Sequence, residues 1–214
     1  MKGLPLKQFI KLDGKPVILR TLEQFNSADE VDCIITVVGK KDIDSVKRMV
    51  VSYRLSKVCG VVSGGNRRQD SVWNGLKALK RQNVDVVLVH DAVRPFVSSE
   101  LIRSVARVAA RIGAVIPAVS PKDTIKCAGK KHVVESTLQR DTLWAVQTPQ
   151  AFQFALLYRA FEKARADKFY GTDDASLVER LGVTVKIVDG CYDNIKITTP
   201  EDLELAQFIA KRVK

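Results

Sequence analysis

The feature that most constrains the fold of this chain is the stretch VVLVHDAVRP at residues 86–95. It opens with four consecutive apolar residues, three of them valine, and continues directly into His90, Asp91 and, three residues later, Arg94. A strand that is apolar at every position must be covered on both faces, which is typical of a parallel strand between two layers of helices. Ligands bind at the carboxyl ends of such strands. The stretch therefore predicts an open α/β sheet with a polar site after this strand, although a salt-bridged loop without a ligand would show the same pattern.

The surrounding segments alternate between strand and helix patterns. Short β-branched runs predict strands at residues 31–39, 57–62, 85–90 and 114–119, and amphipathic segments predict helices at 16–27, 42–53, 70–81 and 98–111. This alternation is typical of parallel strands joined by helices. We therefore predict an α/β fold with a doubly wound, mostly parallel, Rossmann-like sheet.

The alternation is interrupted between residues 120 and 147. Two segments of alternating polarity, Asp123–Cys127 and His132–Leu138, flank the turn residues 128–131 and predict a projecting β-hairpin arm. A two-stranded hairpin cannot bury both of its faces alone. We therefore expect the arm, at about residues 120–147, to pack on a second subunit in a homodimer.

The rest of the chain returns to α/β patterns. Helices are predicted at residues 149–167, 173–181 and 200–214, with Thr172 and Thr199 as N-caps, and strands at 183–188 and 194–198. No repeat or linker divides the sequence, so residues 1–214 are interpreted as a single domain.

The composition narrows the class of protein. No segment approaches the roughly 18 apolar residues of a membrane span, and Met1–Pro5 has no apolar core of a signal peptide, so a cytoplasmic protein without membrane contact is expected. The formal charge of +11 suits nucleic acid, an anionic surface or a phosphorylated small molecule, but the basic clusters are short and dispersed, which argues against nucleic acid. Cys33, Cys59, Cys127 and Cys191 show no CxxC spacing, so we expect reduced, mostly buried thiols and neither a zinc site nor a disulfide.

Two further segments carry candidate site residues. Residues 63–71, SGGNRRQDS, lie between a predicted strand and helix, where Gly64 and Gly65 let the backbone approach a ligand and Ser71 offers a hydroxyl. A plain strand-to-helix turn is the alternative. Lys196 lies in a late strand near the same sheet edge, and its alternative is an ordinary solvent-facing lysine.

Eight motifs, spread in order over the whole chain, resemble one family, the 2-C-methyl-D-erythritol 4-phosphate cytidylyltransferases. They are Leu6-Lys7-Gln8-Phe9, Gly64-Gly65 through Asp70-Ser71-Val72, Val89 through Pro95, Asp123-Thr124, Arg140 with Leu143-Trp144, Gln147 through Phe152, Thr172-Asp173, and Asn194-Ile195-Lys196. The resemblance implies a fold of the nucleotidyltransferase type, with CTP and a sugar-alcohol phosphate as substrates and Mg²⁺ bound mainly through the CTP phosphates rather than by side chains. It implies in-line attack of the acceptor phosphate on the α-phosphorus of CTP, with release of pyrophosphate.

The resemblance also implies roles for particular residues. Lys7 and Lys196 would be catalytic and flank the α-phosphate. The nucleotide would be bound by Gly64, Gly65, Asn66, Ser71, Asp91 and Ala92. The acceptor would be bound by Asp91, Arg94, Thr124, Arg140, Thr148 and Thr172, with Thr124 and Arg140 supplied by the partner's arm.

Two alternatives stay open at this point. Ribitol-5-phosphate cytidylyltransferases share the glycine pair and a similar His-Asp-x-x-Arg-Pro turn, so the acceptor could be another sugar phosphate. The family also begins with a central strand and an Ala-Ala-Gly-x-Gly-x-Arg-Met loop around the triphosphate, and Met1 aligns with the closing methionine of that loop. From this alignment we expect a sheet with two exposed edges, poor stability and little activity, or a relative that keeps only nucleotide binding or dimerisation.

Overall fold

The computed structural model describes residues 7–80 and 82–212. Met1, Leu6, Arg81 and the last two residues of the predicted terminal helix lie outside this range. The helices are α1 (Val17–Ser27), α2 (Ile43–Ser52), α3 (Arg68–Leu79), α4 (Ser99–Ile112), α5 (Phe154–Ala166), α6 (Asp174–Glu179) and α7 (Pro200–Arg212). The strands are β1 (Lys11–Leu12), β2 (Lys15–Pro16), β3 (Ile34–Val38), β4 (Val58–Ser63), β5 (Val86–Val89), β6 (Ala114–Val119), β7 (Lys126–Ala128), β8 (Val134–Thr137), β9 (Ala145–Val146), β10 (Gln150–Gln153) and β11 (Lys186–Asp189).

The main sheet has the order β11–β6–β10–β5, with β9 paired to β6 beyond this path. Strands β6 and β11 pair in parallel, and β10 runs antiparallel to both β5 and β6. Strands β5, β6 and β11 therefore share one direction. A second parallel pair is formed by β3 and β4. The chain has the predicted α/β architecture.

Both faces of the main sheet are covered, as the apolar run at residues 86–89 predicts. Val87 and Phe152 point into one buried cluster, which includes Leu157 and Phe161 of α5. The alternate residues Leu88 and Ala151 point into a second cluster, with Ile102 and Val105 of α4. This alternation between two apolar layers identifies the doubly wound arrangement, because successive residues of a strand face opposite sides of the sheet.

A cavity of about 880 Å³ separates the two parallel parts of the fold. Its walls include residues 31–37 on the β3 side and residues 84–92 on the β5 side, together with side chains of α1 and α3. Within the described residues, β3 pairs only with β4 and β5 pairs only with β10. The two strand edges that the sequence predicts to be exposed therefore border this cavity.

Three predictions about secondary structure are wrong. Residues 150–153 form β10 rather than the start of a helix, because Ala151 and Phe152 are buried on opposite faces of the sheet between β5 and β6. Residues 194–198 form no strand, since their backbone is used in turns such as the bond from Asn194 N to Cys191 O. The N-cap of α6 is Asp173, whose carboxylate accepts from Ser176 N at 3.0 Å, and not Thr172.

The cysteine prediction is also wrong. Cys33 and Cys59 form a disulfide, and Cys127 and Cys191 are exposed. The parallel pairing of β3 with β4 brings the first two cysteines to a Cα–Cα distance of 5.7 Å although 26 residues separate them. That proximity depends on tertiary pairing and leaves no trace in the spacing.

The predicted arm is present. Strands β7 and β8 pair antiparallel across the turn after Ala128, and every residue of both strands is exposed. In the part of the chain that the structure describes, we find no helix with the length and apolar character needed to cross a membrane.

Candidate active site at the carboxyl ends of β4 and β5

Asp91, two residues beyond the end of β5, is the centre of a cluster of cations. Its Oδ2 lies 3.0 Å from Lys196 Nζ and 3.5 Å from Arg94 Nε, and its Oδ1 lies 3.7 Å from Arg68 Nε. Arg68 follows β4 by five residues, so its ion pair places the carboxyl ends of β4 and β5 at the same sheet edge. The predicted residues Asp91, Arg94 and Lys196 therefore come together, and Arg68 is an addition that sequence reasoning missed.

The electrostatics keep Asp91 ionised. Burial alone would raise the pKa of this carboxyl, but the hydrogen bond and charge of Lys196, with the charges of Arg68 and Arg94, lower its pKa below the ordinary value. Asp91 is a charged acceptor in a half-buried position, with 14% of its side chain exposed. Such a carboxylate can accept hydrogen bonds from ligand hydroxyls.

A chain of hydrogen bonds through Thr148 and His90 supports the backbone of Asp91. Asp91 N donates to Thr148 Oγ1 at 3.1 Å, and the same hydroxyl lies 3.0 Å from His90 Nδ1. His90 Nε2 lies 3.0 Å from Arg94 O, so the geometry fits a neutral ring with its proton on Nε2. Burial lowers the pKa of His90 to about 4, which keeps the ring neutral. Thr148, predicted to bind the acceptor, is buried here with its hydroxyl committed to this support.

The glycine loop after β4 is shaped by close contacts. Gly64 N donates to Val38 O at 2.8 Å, which ties the loop to the end of β3. A side chain on Gly65 would collide with Asp70, so the loop requires glycine there. Ser71 Oγ accepts from Gly65 N at 3.0 Å and donates to Arg67 O, while Asn66 is exposed beside it. The predicted nucleotide-binding residues of this loop lie at the same edge as Asp91.

The segment that carries Lys196 is anchored by buried amides. Arg94 Nη1 donates to Asn194 O at 2.7 Å, and Asn194 Nδ2 donates to Thr148 O at 2.8 Å. Gln147 donates from Nε2 to Cys191 O and accepts from Cys191 N with its Oε1. These contacts place Lys196 without a strand, so its position at the site is right although its predicted secondary structure is not.

A second carboxylate lies behind Arg68. Asp174 is 1% exposed, and its Oδ2 accepts from Arg68 Nη2 at 2.7 Å. Burial raises the pKa of Asp174, and the charge of Arg68 offsets part of that rise. Arg68 and Asp174 are 106 residues apart in the sequence, so their pairing is visible only in the folded chain.

The remaining predicted residues form no ion pair with Asp91 among the described residues. Lys7 is exposed in the short turn Lys7–Phe9, and within the described residues its side chain makes no contact with Asp91. Thr124 and Arg140 lie on the exposed arm, where Arg140 Nη1 donates to Lys122 O at 3.2 Å. Thr172 is exposed next to the cap of α6. Ala92 is half-buried at the site, and its carbonyl accepts from Thr21 Oγ1.

The side chains of this site do not form a metal centre of their own. Among residues 7–80 and 82–212, no group of three or more His, Cys, Asp or Glu side chains could hold a metal ion. Asp91 is also already surrounded by three cations. The cluster is instead suited to anions, because three basic side chains converge on a sheet edge that also carries a glycine loop.

The comparisons with known proteins agree with this geometry. The family model described as 2-C-methyl-D-erythritol 4-phosphate cytidylyltransferase (IspD) matches residues 1–212. A relative of that name from Geobacillus thermodenitrificans is 48% identical over 203 residues, covering 95% of this chain and 88% of the relative. Another of that name, from Clostridium beijerinckii, is 45% identical and covers 100% of this chain and 93% of its own length.

Solved structures give the same result. The 4-diphosphocytidyl-2C-methyl-D-erythritol synthase from Anaerococcus prevotii has a TM-score of 0.86 at 39% identity, over 95% of this chain and 89% of that one. The 2-C-methyl-D-erythritol 4-phosphate cytidylyltransferase from Thermus thermophilus has a TM-score of 0.80 at 33% identity, over 96% and 94% of the two chains. The chain therefore belongs to the 2-C-methyl-D-erythritol 4-phosphate cytidylyltransferase family.

Proposed function

We propose that this protein couples CTP with 2-C-methyl-D-erythritol 4-phosphate to give 4-diphosphocytidyl-2-C-methyl-D-erythritol and pyrophosphate, a step of non-mevalonate isoprenoid precursor synthesis. The observation that carries the proposal is the cluster of Arg68, Arg94 and Lys196 around Asp91, next to the glycine loop. Two phosphorylated substrates must meet in this reaction, so the site has to offset strong charge repulsion.

In the proposed reaction, an oxygen of the acceptor phosphate forms a bond to the α-phosphorus of CTP. The bond from that phosphorus to the bridging oxygen of the β-phosphate breaks, and pyrophosphate leaves with the electron pair. No general base is required, because the attacking phosphate is already anionic. Lys196 would stabilise the charge that develops on the α-phosphate, with Lys7 on its other side, while Asp91 accepts from hydroxyl groups of the substrates.

We further propose that Mg²⁺ enters with CTP, bound by phosphate oxygens. The metal would neutralise phosphate charge, and we assign no side chain to it.

A homodimer is proposed on the basis of the arm. Val133 and Val134 are 64% and 56% exposed, and Trp144 at the base of the arm is 40% exposed. Apolar side chains that project from a narrow hairpin are best buried by a second subunit. Thr124 and Arg140 would then reach the partner's site. A cytoplasmic location stays a prediction from the sequence.

The test is an acceptor assay. Purified protein is incubated with CTP, Mg²⁺ and either 2-C-methyl-D-erythritol 4-phosphate or ribitol 5-phosphate, and pyrophosphate release is followed together with the cytidine diphosphate product by mass spectrometry. We expect product from the first acceptor only. Product from ribitol 5-phosphate alone would identify the other cytidylyltransferase, and CTP binding without product would identify a binding relative.

A further inference from the structure

Arg68 is shared unequally between two carboxylates. Its Nη2 donates to Asp174 Oδ2 at 2.7 Å, whereas its Nε lies 3.7 Å from Asp91 Oδ1, beyond hydrogen-bond distance. The side chain of Arg68 is 40% exposed and lines the cavity together with Ser71, Asp91 and Ala92. Arg68 thus lies beside two residues of the proposed nucleotide site, Ser71 and Asp91, and pairs on its buried side with Asp174.

Asp174, which pairs with Arg68, is itself fixed by hydrogen bonds of its backbone. Asp174 N donates to Gln150 Oε1 at 3.2 Å, and Ala175 N donates to the same oxygen at 3.1 Å. Gln150 is 1% exposed on β10, and its Nε2 donates to Asp173 Oδ2 at 2.7 Å. The central strand of the sheet thus fixes the start of α6 and, with it, the carboxylate behind Arg68.

The unequal sharing leaves one oxygen of Asp91 open to a ligand. Lys196 and Arg94 both approach Oδ2, while no hydrogen bond to Oδ1 is formed by any of the residues that the structure describes. Without Asp174, Arg68 would be free to close the gap and form a direct hydrogen bond to Oδ1. That contact would compete with a ribose hydroxyl for the same lone pairs.

We propose that Asp174 is a positioning residue that holds Arg68 away from Asp91, so that the guanidinium contacts the nucleotide and Asp91 Oδ1 accepts from its ribose. The inference rests on the proposed function, because it assigns these groups to CTP. It adds Arg68 as a nucleotide-binding residue and Asp174 as the group that acts through it.

The test is a double-mutant cycle on CTP binding, measured by calorimetry, with thermal unfolding of every variant. We expect Asp174→Asn to raise the Kd for CTP about tenfold, which is the size of a lost charge-assisted hydrogen bond. In an Arg68→Gln background the same substitution is expected to change Kd less than twofold, since the side chain that Asp174 positions is gone. In steady-state kinetics, Asp174→Asn should raise the KM for CTP and change kcat less than threefold.

Asp167→Asn is the matched control. Asp167 also holds an arginine at 2.7 Å, Nη2 of Arg180, but on the surface away from the cluster. This control should leave Kd unchanged. Arg68→Lys provides a second variant, because it keeps the charge at a half-exposed position but loses the fork that bridges two partners. It should raise Kd while the melting temperature stays normal.

The outcomes separate this inference from the proposed function. Effects of Asp174→Asn and Arg68→Gln that add independently, or a lowered melting temperature with unchanged Kd, would overturn the positioning role. An unchanged Kd in Arg68→Lys would overturn the contact with the nucleotide. If another nucleoside triphosphate binds in place of CTP, the proposed function alone fails and the cycle is run with that nucleotide. A chain that binds none of the four common nucleoside triphosphates would overturn both.

Discussion

Lys196 is the residue whose role the proposed chemistry defines most sharply. Its ammonium is paired with Asp91 at 3.0 Å and is 43% exposed, so it can exchange that carboxylate for a phosphate oxygen. A cation that binds developing charge contributes mainly to turnover. We therefore predict that Lys196→Ala lowers kcat by roughly 10²–10³-fold, with little change in CTP affinity, as measured by steady-state kinetics and calorimetry.

Lys186→Ala is the control for this prediction, because Lys186 is an exposed lysine on β11, at the opposite edge of the main sheet from β5. It should keep full turnover. A variant of Lys196 with unchanged kcat and a raised KM would instead assign this lysine to ordinary substrate binding.

The buried ring of His90 predicts how the free energy of unfolding depends on pH. Burial lowers its pKa from 6.5 to about 4, so the folded protein keeps the ring neutral while the unfolded chain takes up a proton below pH 6.5. This contribution is fully present above pH 6.5 and is lost as the pH falls towards 4. The loss is at most about 3–4 kcal/mol of unfolding free energy, from roughly 1.4 kcal/mol per pKa unit.

Urea unfolding at a series of pH values measures this effect. His90→Gln should flatten the dependence between pH 6.5 and 4. His132→Gln should not, because the other of the two histidines lies in the exposed turn of the arm. Equal slopes for the wild type and His90→Gln would place the pH dependence elsewhere.

At this scale the sequence predicts which side chains meet better than what each one does. Asp91 and Arg94 are predictable because polar residues that follow a buried strand such as β5 lie at the edge of the sheet where the strand ends. Lys196 reaches the same edge without a strand, through the contacts of Asn194. The hydroxyl of Thr148 is not, since its use by Asp91 N and His90 depends on a contact across 57 residues. The Arg68–Asp174 pair spans 106 residues and has no local signal either.

Among the elements, we expect the arm formed by β7 and β8 to contribute to the site of a second subunit. Arg140 lies in the short turn that follows β8 and is exposed, and its guanidinium donates to Lys122 O. If it acts in the partner's site, each site combines residues of two chains. We predict that mixing an Arg140→Ala chain with a Lys196→Ala chain restores part of the activity that both lose alone, because each heterodimer contains one intact site.

The heterodimers are verified by tandem tags before the assay, and the two variants assayed separately provide the baseline. A rate near half that of the wild-type dimer is expected for each heterodimer, because one of its two sites is intact. An absence of recovery in verified heterodimers would place Arg140 in the site of its own subunit.

The wrongly predicted start of α5 shows how tertiary pairing overrides local preference. Residues 150–153 are favourable in a helix, but β10 pairs with both β5 and β6, and this tertiary pairing overrides local preference. Strands β5 and β6 are predictable because their apolar runs are buried on both faces. The α7 start is also predictable, since Thr199 Oγ1 accepts from Asp202 N as a local cap.

For the molecule as a whole, the cavity between β3 and β5 is the main weakness. Backbone groups along its walls lack a partner strand within the described residues, and such groups cost about 1–3 kcal/mol each when buried. We predict that a β-strand and a glycine-rich loop fused ahead of Met1, which would give these two strand edges a partner, raise the melting temperature by at least about 5 °C. The same extension should tighten CTP binding, because the loop supplies backbone N–H donors to the phosphates.

A flexible Gly/Ser extension of equal length is the control, measured by the same thermal unfolding and calorimetry. It should change neither quantity. If the chain without any extension melts cooperatively with normal stability and forms product at the rate of the extended one, the cavity would have neither of the consequences predicted here.

The same cavity separates two hydrogen-bonded networks of strands. Strands β3 and β4 bond only to each other within the described residues, whereas β5, β6, β9, β10 and β11 share one sheet. In heavy water, the amides of β3 and β4 should therefore exchange through a smaller, more frequent opening than those of β6 and β10, which exchange only when the whole sheet unfolds. The glycine loop follows β4. The part of the proposed nucleotide site that this loop carries would therefore open and close with the less protected network, at a rate independent of the main sheet.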